Sequence, residues 1–134
     1  MLRSDDGGKL VLRLAVGILL IMHGIAKLMG GIGFISGLVT SVGLPASFAY
    51  LVFVGEVLAP LGLILGVFTR ISALIVVINM LFAIGLAHMP ELFQISKTGG
   101  WALELQGLFL FGALAIMLLG AGRFSLQSPT SRWN

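Results

Sequence analysis

Four side chains in this sequence have the types and spacings that chemistry could use. His23 and Lys27 stand four residues apart near the end of one apolar run, Glu56 interrupts a second, and Glu104 lies near the start of another. An imidazole and a carboxyl group held in apolar surroundings can trade a proton near neutral pH, and an ammonium beside them keeps the local field neutral. A carboxylate left alone among apolar groups is costly, so each acid needs a partner. Residues at i and i+4 share a helix face. At about 1.5 Å per residue, Lys27 and Glu104 fall roughly 3–5 Å below the outer ends of their runs, and His23 and Glu56 roughly 9–12 Å. The matched levels predict two pairs, His23 with Glu56 and Lys27 with Glu104, in one inward-facing polar layer that handles a ligand or a proton. Each member has a plainer reading beside that one. Glu56 and His23 could simply anchor the bundle geometry, Lys27 could mark an interface, and Glu104 lies close enough to water to be an ordinary surface acid.

Four residues after Glu56 stands Pro60. It lacks an N–H, and its ring crowds the carbonyl four residues back, so a helix kink is expected there with the Glu56 carbonyl left free. Gly55, Ala59, Gly62 and Gly66 run along an adjacent stripe, and Gly62-x-x-x-Gly66 is a close-packing spacing. Arg13 lies about one turn inside its run and is expected to snorkel to the headgroups. Asn79 stands alone near the middle of the third run, while His88 and Trp101 read as boundary residues. His23 and His88 differ in depth, which argues against haem held between them. No metal-ligand spacing or nucleophile–base set is present, and Gly31-Ile32-Gly33 lacks the third glycine of a dinucleotide fingerprint.

These side chains need rods to position them. Four apolar runs, about 10–29, 48–68, 71–88 and 101–120, approach the ~20 residues that cross a hydrocarbon core. Backbone groups in lipid must be satisfied within the segment, so each run is helix. Glycine and proline clusters break the chain between them, and 34–42 is apolar enough for a short interfacial or re-entrant helix. The composition agrees: of 134 residues 58% are hydrophobic and 10% charged, with a mean hydropathy of +1.12, too little polar surface to cover a water-facing globule. A net charge of +3 spread along the chain is no nucleic-acid signature, and zero cysteines exclude disulfides and thiolate chemistry. The first run holds Arg13, His23 and Lys27 and no small-x-small cleavage site follows it, so it reads as a retained anchor.

Arg3, Lys9, Arg13, Arg70, Arg123 and Arg132 fall on the side that holds both termini, and Lys27 and Lys97 on the other. This asymmetry places both termini in the cytoplasm. The expectation is an all-α integral membrane four-helix bundle, one domain over 1–134. Runs one and three each begin at an arginine, and runs two and four each carry a glutamate in their outer half, a faint sign of a duplicated hairpin.

Ordered landmarks give a resemblance. Arg13-Leu14, His23-Gly24-Ile25-Ala26-Lys27, Gly43-Leu44-Pro45 and Gly55-Glu56 are followed by Leu63-Ile64-Leu65-Gly66-Val67-Phe68-Thr69-Arg70. Gly99-Gly100-Trp101-Ala102-Leu103-Glu104 and Gly120-Ala121-Gly122-Arg123-Phe124-Ser125-Leu126 complete the set. In their order and spacing they make the chain similar, over nearly its whole length, to the DoxX family of small bacterial membrane proteins. Two positions depart from the family pattern: Ala121 stands where proline is usual, and Gln127 where aspartate is usual. The resemblance implies a multi-pass protein of the bacterial cytoplasmic (inner) membrane. Some relatives are named as subunits of thiosulfate:quinone oxidoreductases or grouped with superoxide-detoxifying and sulfur-transfer partners, so the resemblance transfers a location better than a reaction.

The leading expectation is an accessory or quinone-proximal subunit of a membrane redox assembly, with Glu56 and His23 serving a quinone headgroup lodged among the first, second and fourth runs. No motif binds a cofactor outright, so electrons would come from a partner. Whether the chain is itself an enzyme stays open. The expected partners are the bilayer, a redox protein and further copies of the chain, and not nucleic acid. A non-enzymatic scaffold that recruits a partner, and a small-solute or proton pathway, remain as alternatives.

Overall fold

Ser4 opens the first helix: its hydroxyl accepts the Gly7 N–H at 3.0 Å, and Asp5 and Asp6 sit in the first turn, where the helix dipole favours acids. The computed structural model describes residues 4–134, with the side chains of Ala87 and His88 outside that description. Arg3, counted above for orientation, also lies outside the described residues. Helix α1 (Asp5–Gly30) runs 26 residues and stops where Gly31 takes φ 88°. A short helix, α2 (Gly33–Ser41), follows and is ended by Gly43 at φ 87°.

Helix α3 (Ala46–Leu65) is a 20-residue rod in four registers. It begins as a 3-10 turn over Ala46–Tyr50, becomes α over Leu51–Phe53, widens to a π turn over Val54–Leu58 and returns to α over Ala59–Leu65. Gly66, left-handed at φ 72°, terminates it. Helix α4 (Thr69–Leu86) runs 18 residues, and α5 (Glu104–Leu119) runs 16. Between α4 and α5 a loop folds back on itself through an isolated Ile95–Trp101 bridge. Residues 120–134, after α5, form turns and bends without a helix, and no other strand pairing occurs among the described residues.

Helices α1, α3 and α4 are long and apolar enough to cross a membrane; α5, expected as the fourth span, is apolar but shorter. The helices interlock through Leu20, Leu63, Val76, Ala113 and Ile116. They turn large apolar side chains such as Met22, Leu58, Leu108 and Phe111 outward, as a lipid-facing surface requires.

The two ends of the described chain meet at one end of the molecule, where the Arg123 N–H donates to Asp6 Oδ1 at 3.0 Å. There the C-terminal segment supplies a cap that the sequence near α4 does not. Phe68, at φ 44°, has no side chain that can cap the helix, and Asn134 Oδ1 accepts both the Thr69 N–H (3.1 Å) and its hydroxyl (2.7 Å).

Arg13 lies at the same end and does not snorkel. It is 1% exposed. Its guanidinium donates to the carbonyls of Leu63 (2.9 Å), Ala121 (2.8 Å), Phe124 (2.8 Å) and Ile64 (3.3 Å). The last carbonyls of a helix have no partner within it, and this turn of α3 together with the chain after α5 offers enough of them to hold a cation inside the fold. At position 121 the departure from proline adds a bond: the Ala121 N–H donates to the Asn134 carbonyl at 2.7 Å, which a proline could not do.

Candidate functional site

The site begins with the proline. Pro60 cannot donate to the Glu56 carbonyl, and the chain just before it abandons the α register: the Ala59 N–H reaches back five residues to the Val54 carbonyl. The kink expected at Pro60 thus takes the form of a π turn centred on Glu56. Such a turn widens the helix locally and commonly marks functional positions.

Four close approaches fix this turn. On one side Gly24 of α1 faces the Glu56 carbonyl so tightly that a Cβ could not be accommodated, and Gly17, seven residues earlier, would place a Cβ 3.1 Å from the Pro60 carbonyl. On the other side Gly55 faces Asn79 of α4, and Gly62 faces Ser72. Glycines one heptad apart in α1 and in α3 therefore let three helix backbones converge around the acid. Ala59 is buried between them at 3% exposure. Gly66 has a different part from its neighbours in the stripe: it is the left-handed terminator of α3, beside Ser125 and the Arg13 guanidinium.

Glu56 Oε2 lies 2.6 Å from Lys27 Nζ, with the carboxylate side chain 4% and the lysine 34% exposed. This corrects both expected pairs. His23 does not meet Glu56: it is exposed on α1, its ring edge-on to Phe109 of α5 at 5.8 Å between centroids. Glu104 does not meet Lys27 either. It stands exposed in the first turn of α5, where water and the positive helix end accommodate a carboxylate. Lys27 reaches the acid that water cannot serve, and its long side chain covers the difference in depth between the two residues.

The pair borders a cavity of about 740 Å³ walled by the end of α1, by α2, and by α3 and α4. Among the described residues, the polar side chain on its wall apart from Lys27 and Glu56 is Asn79, and the remainder is apolar, including Phe34 and Leu38 of α2 and Phe82 of α4. Asn79 was singled out in the sequence for its depth and given no role. Its amide nitrogen is buried with no hydrogen-bond partner among the described residues. The matching heptad spacing of Gly55/Gly62 and Ser72/Asn79 is the signal that points to this pairing, once α3 and α4 are known to lie side by side. The cavity involves neither α5 nor His23, so a ligand there sits among the first three long helices and α2, not among the first, second and fourth as expected.

Chemically, the polar end offers ammonium hydrogens and an amide as donors, and a carboxylate as acceptor, within an otherwise apolar chamber. Volumes of this size and lining are typical of sites for small organic ligands.

The sequence model of the DoxX family matches residues 8–89, well over half of the chain. The matched part runs from Gly8, in the first turns of α1, through α4 and contains every residue on the cavity wall. The landmarks around Glu104 and Gly120 lie beyond it. No curated protein and no solved structure matches the chain.

Proposed function

This chain belongs to the DoxX family, and on that premise we propose that it is an accessory, quinone-proximal subunit of a redox assembly in the bacterial inner membrane. In this reading α5 is the fourth span and both termini face the cytoplasm, in keeping with the Lys and Arg asymmetry. One observation carries the proposal: a buried Lys27–Glu56 pair and an unpartnered Asn79 amide share the polar end of a 740 Å³ apolar cavity.

A quinone headgroup fits that end, because its carbonyls are acceptors and Lys27 and Asn79 are donors. A bound quinone would supply a carrier for two electrons and two protons. Lys27 and Asn79 would orient the carbonyls, Glu56 would hold or release a proton at its carboxylate, and the apolar walls would keep water from the headgroup. Electrons would come from a partner protein. His23, turned away from the cavity, has no part in this scheme.

The test is purification of the full chain in mild detergent, followed by solvent extraction and quinone quantitation by absorbance. About one quinone per chain is expected from the wild type, and several-fold less from Glu56→Gln and Asn79→Leu. Preparations that carry no quinone, although folded and extracted from quinone-rich membranes, would sink the reading and leave the scaffold or the solute pathway.

A further inference from the structure

The net charge of the cavity, more than its size, decides what can enter. Glu56 is nearly sealed from water and Lys27 Nζ sits on its Oε2 at 2.6 Å, so the two charges cancel at contact. Among the described residues no other ionisable side chain lies on the wall. A headgroup with a net charge would therefore arrive without a counter-ion, in surroundings where an unpaired charge is costly. The apolar wall cannot compensate, because hydrocarbon side chains offer a lipid tail no more than the bilayer does. Retention must come from the polar end, where the Asn79 amide nitrogen lacks an acceptor among the described residues and a buried donor left unmatched is itself a cost.

We infer that the cavity between α1, α2, α3 and α4 binds an uncharged amphiphile whose headgroup carries a hydrogen-bond acceptor, and excludes amphiphiles with a carboxylate or an ammonium head. The inference rests on the reading that this cavity takes a ligand, and not on that ligand's being a redox carrier. The Lys27–Glu56 pair is then a charge filter. Removing one partner should not simply abolish binding; it should redirect it. With glutamine at 56 the lysine becomes an uncompensated cation and the cavity selects anionic heads. With methionine at 27 the carboxylate is uncompensated and the cavity selects cationic heads.

The experiment uses the full chain in nanodiscs of uncharged lipid near pH 9, where carboxylate amphiphiles are ionised. Tritiated methyl dodecanoate is displaced by a dodecyl-tailed benzoquinone, by dodecanoate or by dodecyltrimethylammonium; direct binding of labelled dodecanoate and labelled dodecyltrimethylammonium is measured alongside. The wild type should bind the ester and the benzoquinone at least tenfold more tightly than either ion. Glu56→Gln should bind dodecanoate at least tenfold more tightly than the wild type does, and Lys27→Met should gain similarly for dodecyltrimethylammonium. Where one variant does not assemble, the other poses the same question with the opposite sign; where neither does, the wild-type ranking decides. The inference is overturned if the wild type binds dodecanoate or the ammonium within twofold of the ester, if it binds neither neutral probe, or if folded variants shift no preference. Binding of the ester without the benzoquinone would uphold the charge filter and defeat the redox reading.

Discussion

In the hairpin of α1 and α3, Arg13 reaches across to the carbonyls of Leu63 and Ile64 in the last turn of α3, and left-handed Gly66 follows. In the hairpin of α4 and α5, Arg70 reaches across to the carbonyls of Met117 and Leu118 in the last turn of α5, and Gly120 follows at φ 83°. A Cβ on either glycine would come within 3 Å of the arginine that approaches it, 2.9 Å at Gly66 and 2.8 Å at Gly120. At these ends the hairpins solve one problem the same way: an arginine from the first helix serves the orphaned carbonyls of the second. At the opposite ends they diverge. The first hairpin buries Glu56 against Lys27 and opens a cavity, whereas among the described residues α4 and α5 bury no acid. A feature repeated in both halves follows from ending a helix inside an apolar fold. A feature in one half alone is where something other than folding has been at work, and so the site is placed at Glu56 and not at the better-bonded Arg13.

The largest effect should come from the shared end. Arg13→Met removes the partners of several buried carbonyls at about 1–3 kcal/mol each, so a loss of roughly 5 kcal/mol is expected in thermal unfolding in detergent. Arg70 is half-buried and serves two carbonyls; Arg70→Met should cost about 1–2 kcal/mol. Both variants that still fold should keep the ligand preference of the wild type. Equal losses would mean that the extra bonds of Arg13 to Ala121 and Phe124 contribute nothing.

Much of the frame was legible in the sequence. The apolar runs, the glycines that end them, and an acid followed by Pro60 all announce themselves by residue type; of the faint repeat, Arg13 and Arg70 have like partners while Glu56 and Glu104 do not. Partner choice was not. Depth counting treats each helix as a straight rod with 1.5 Å per residue, but α3 starts as a 3-10 helix and then widens to π, so both rise and direction change just where Glu56 stands. The fate of Arg13 was hidden for another reason: its acceptors are backbone carbonyls, which every residue carries and no pattern reveals. Asn79 required knowing that α3 and α4 lie in the register that sets Gly55 against Asn79 and Gly62 against Ser72, a tertiary fact.

Within the unshared end, the two members of the pair should be unequal. Lys27→Met strands a carboxylate that is 4% exposed, while Glu56→Gln strands a lysine that is 34% exposed and can still turn toward polar surroundings. Breaking a buried pair typically costs about 3–5 kcal/mol. The lysine variant should approach the lower bound, the glutamine variant should lose about 1 kcal/mol, and the double variant should recover part of the larger loss. Unfolding of all three in one detergent measures the asymmetry. A glutamine variant less stable than the methionine variant would mean that Lys27, and not Glu56, is the sealed partner.

The finest contrast is between single methyl groups. Gly24→Ala would drive a Cβ into the Glu56 carbonyl and into Val57, so α1 and α3 must part; forcing atoms into a close-packed contact costs about 1–3 kcal/mol. Gly112→Ala on α5 would place its Cβ 3.0 Å from Val16 Cγ2, a side-chain contact that can yield by a few tenths of an ångström. Replacing a mid-helix glycine also gains up to about 1 kcal/mol of helix propensity, so the net change there should lie within about 1 kcal/mol of zero. The stronger contrast is in binding. Parting α1 from α3 shifts Lys27 away from Glu56, so Gly24→Ala should weaken the preference for the ester over dodecanoate, while Gly112→Ala, remote from the cavity wall, should leave it intact. If both alanine variants bind alike, the close approach at Gly24 serves packing alone and does not hold the ion pair in register.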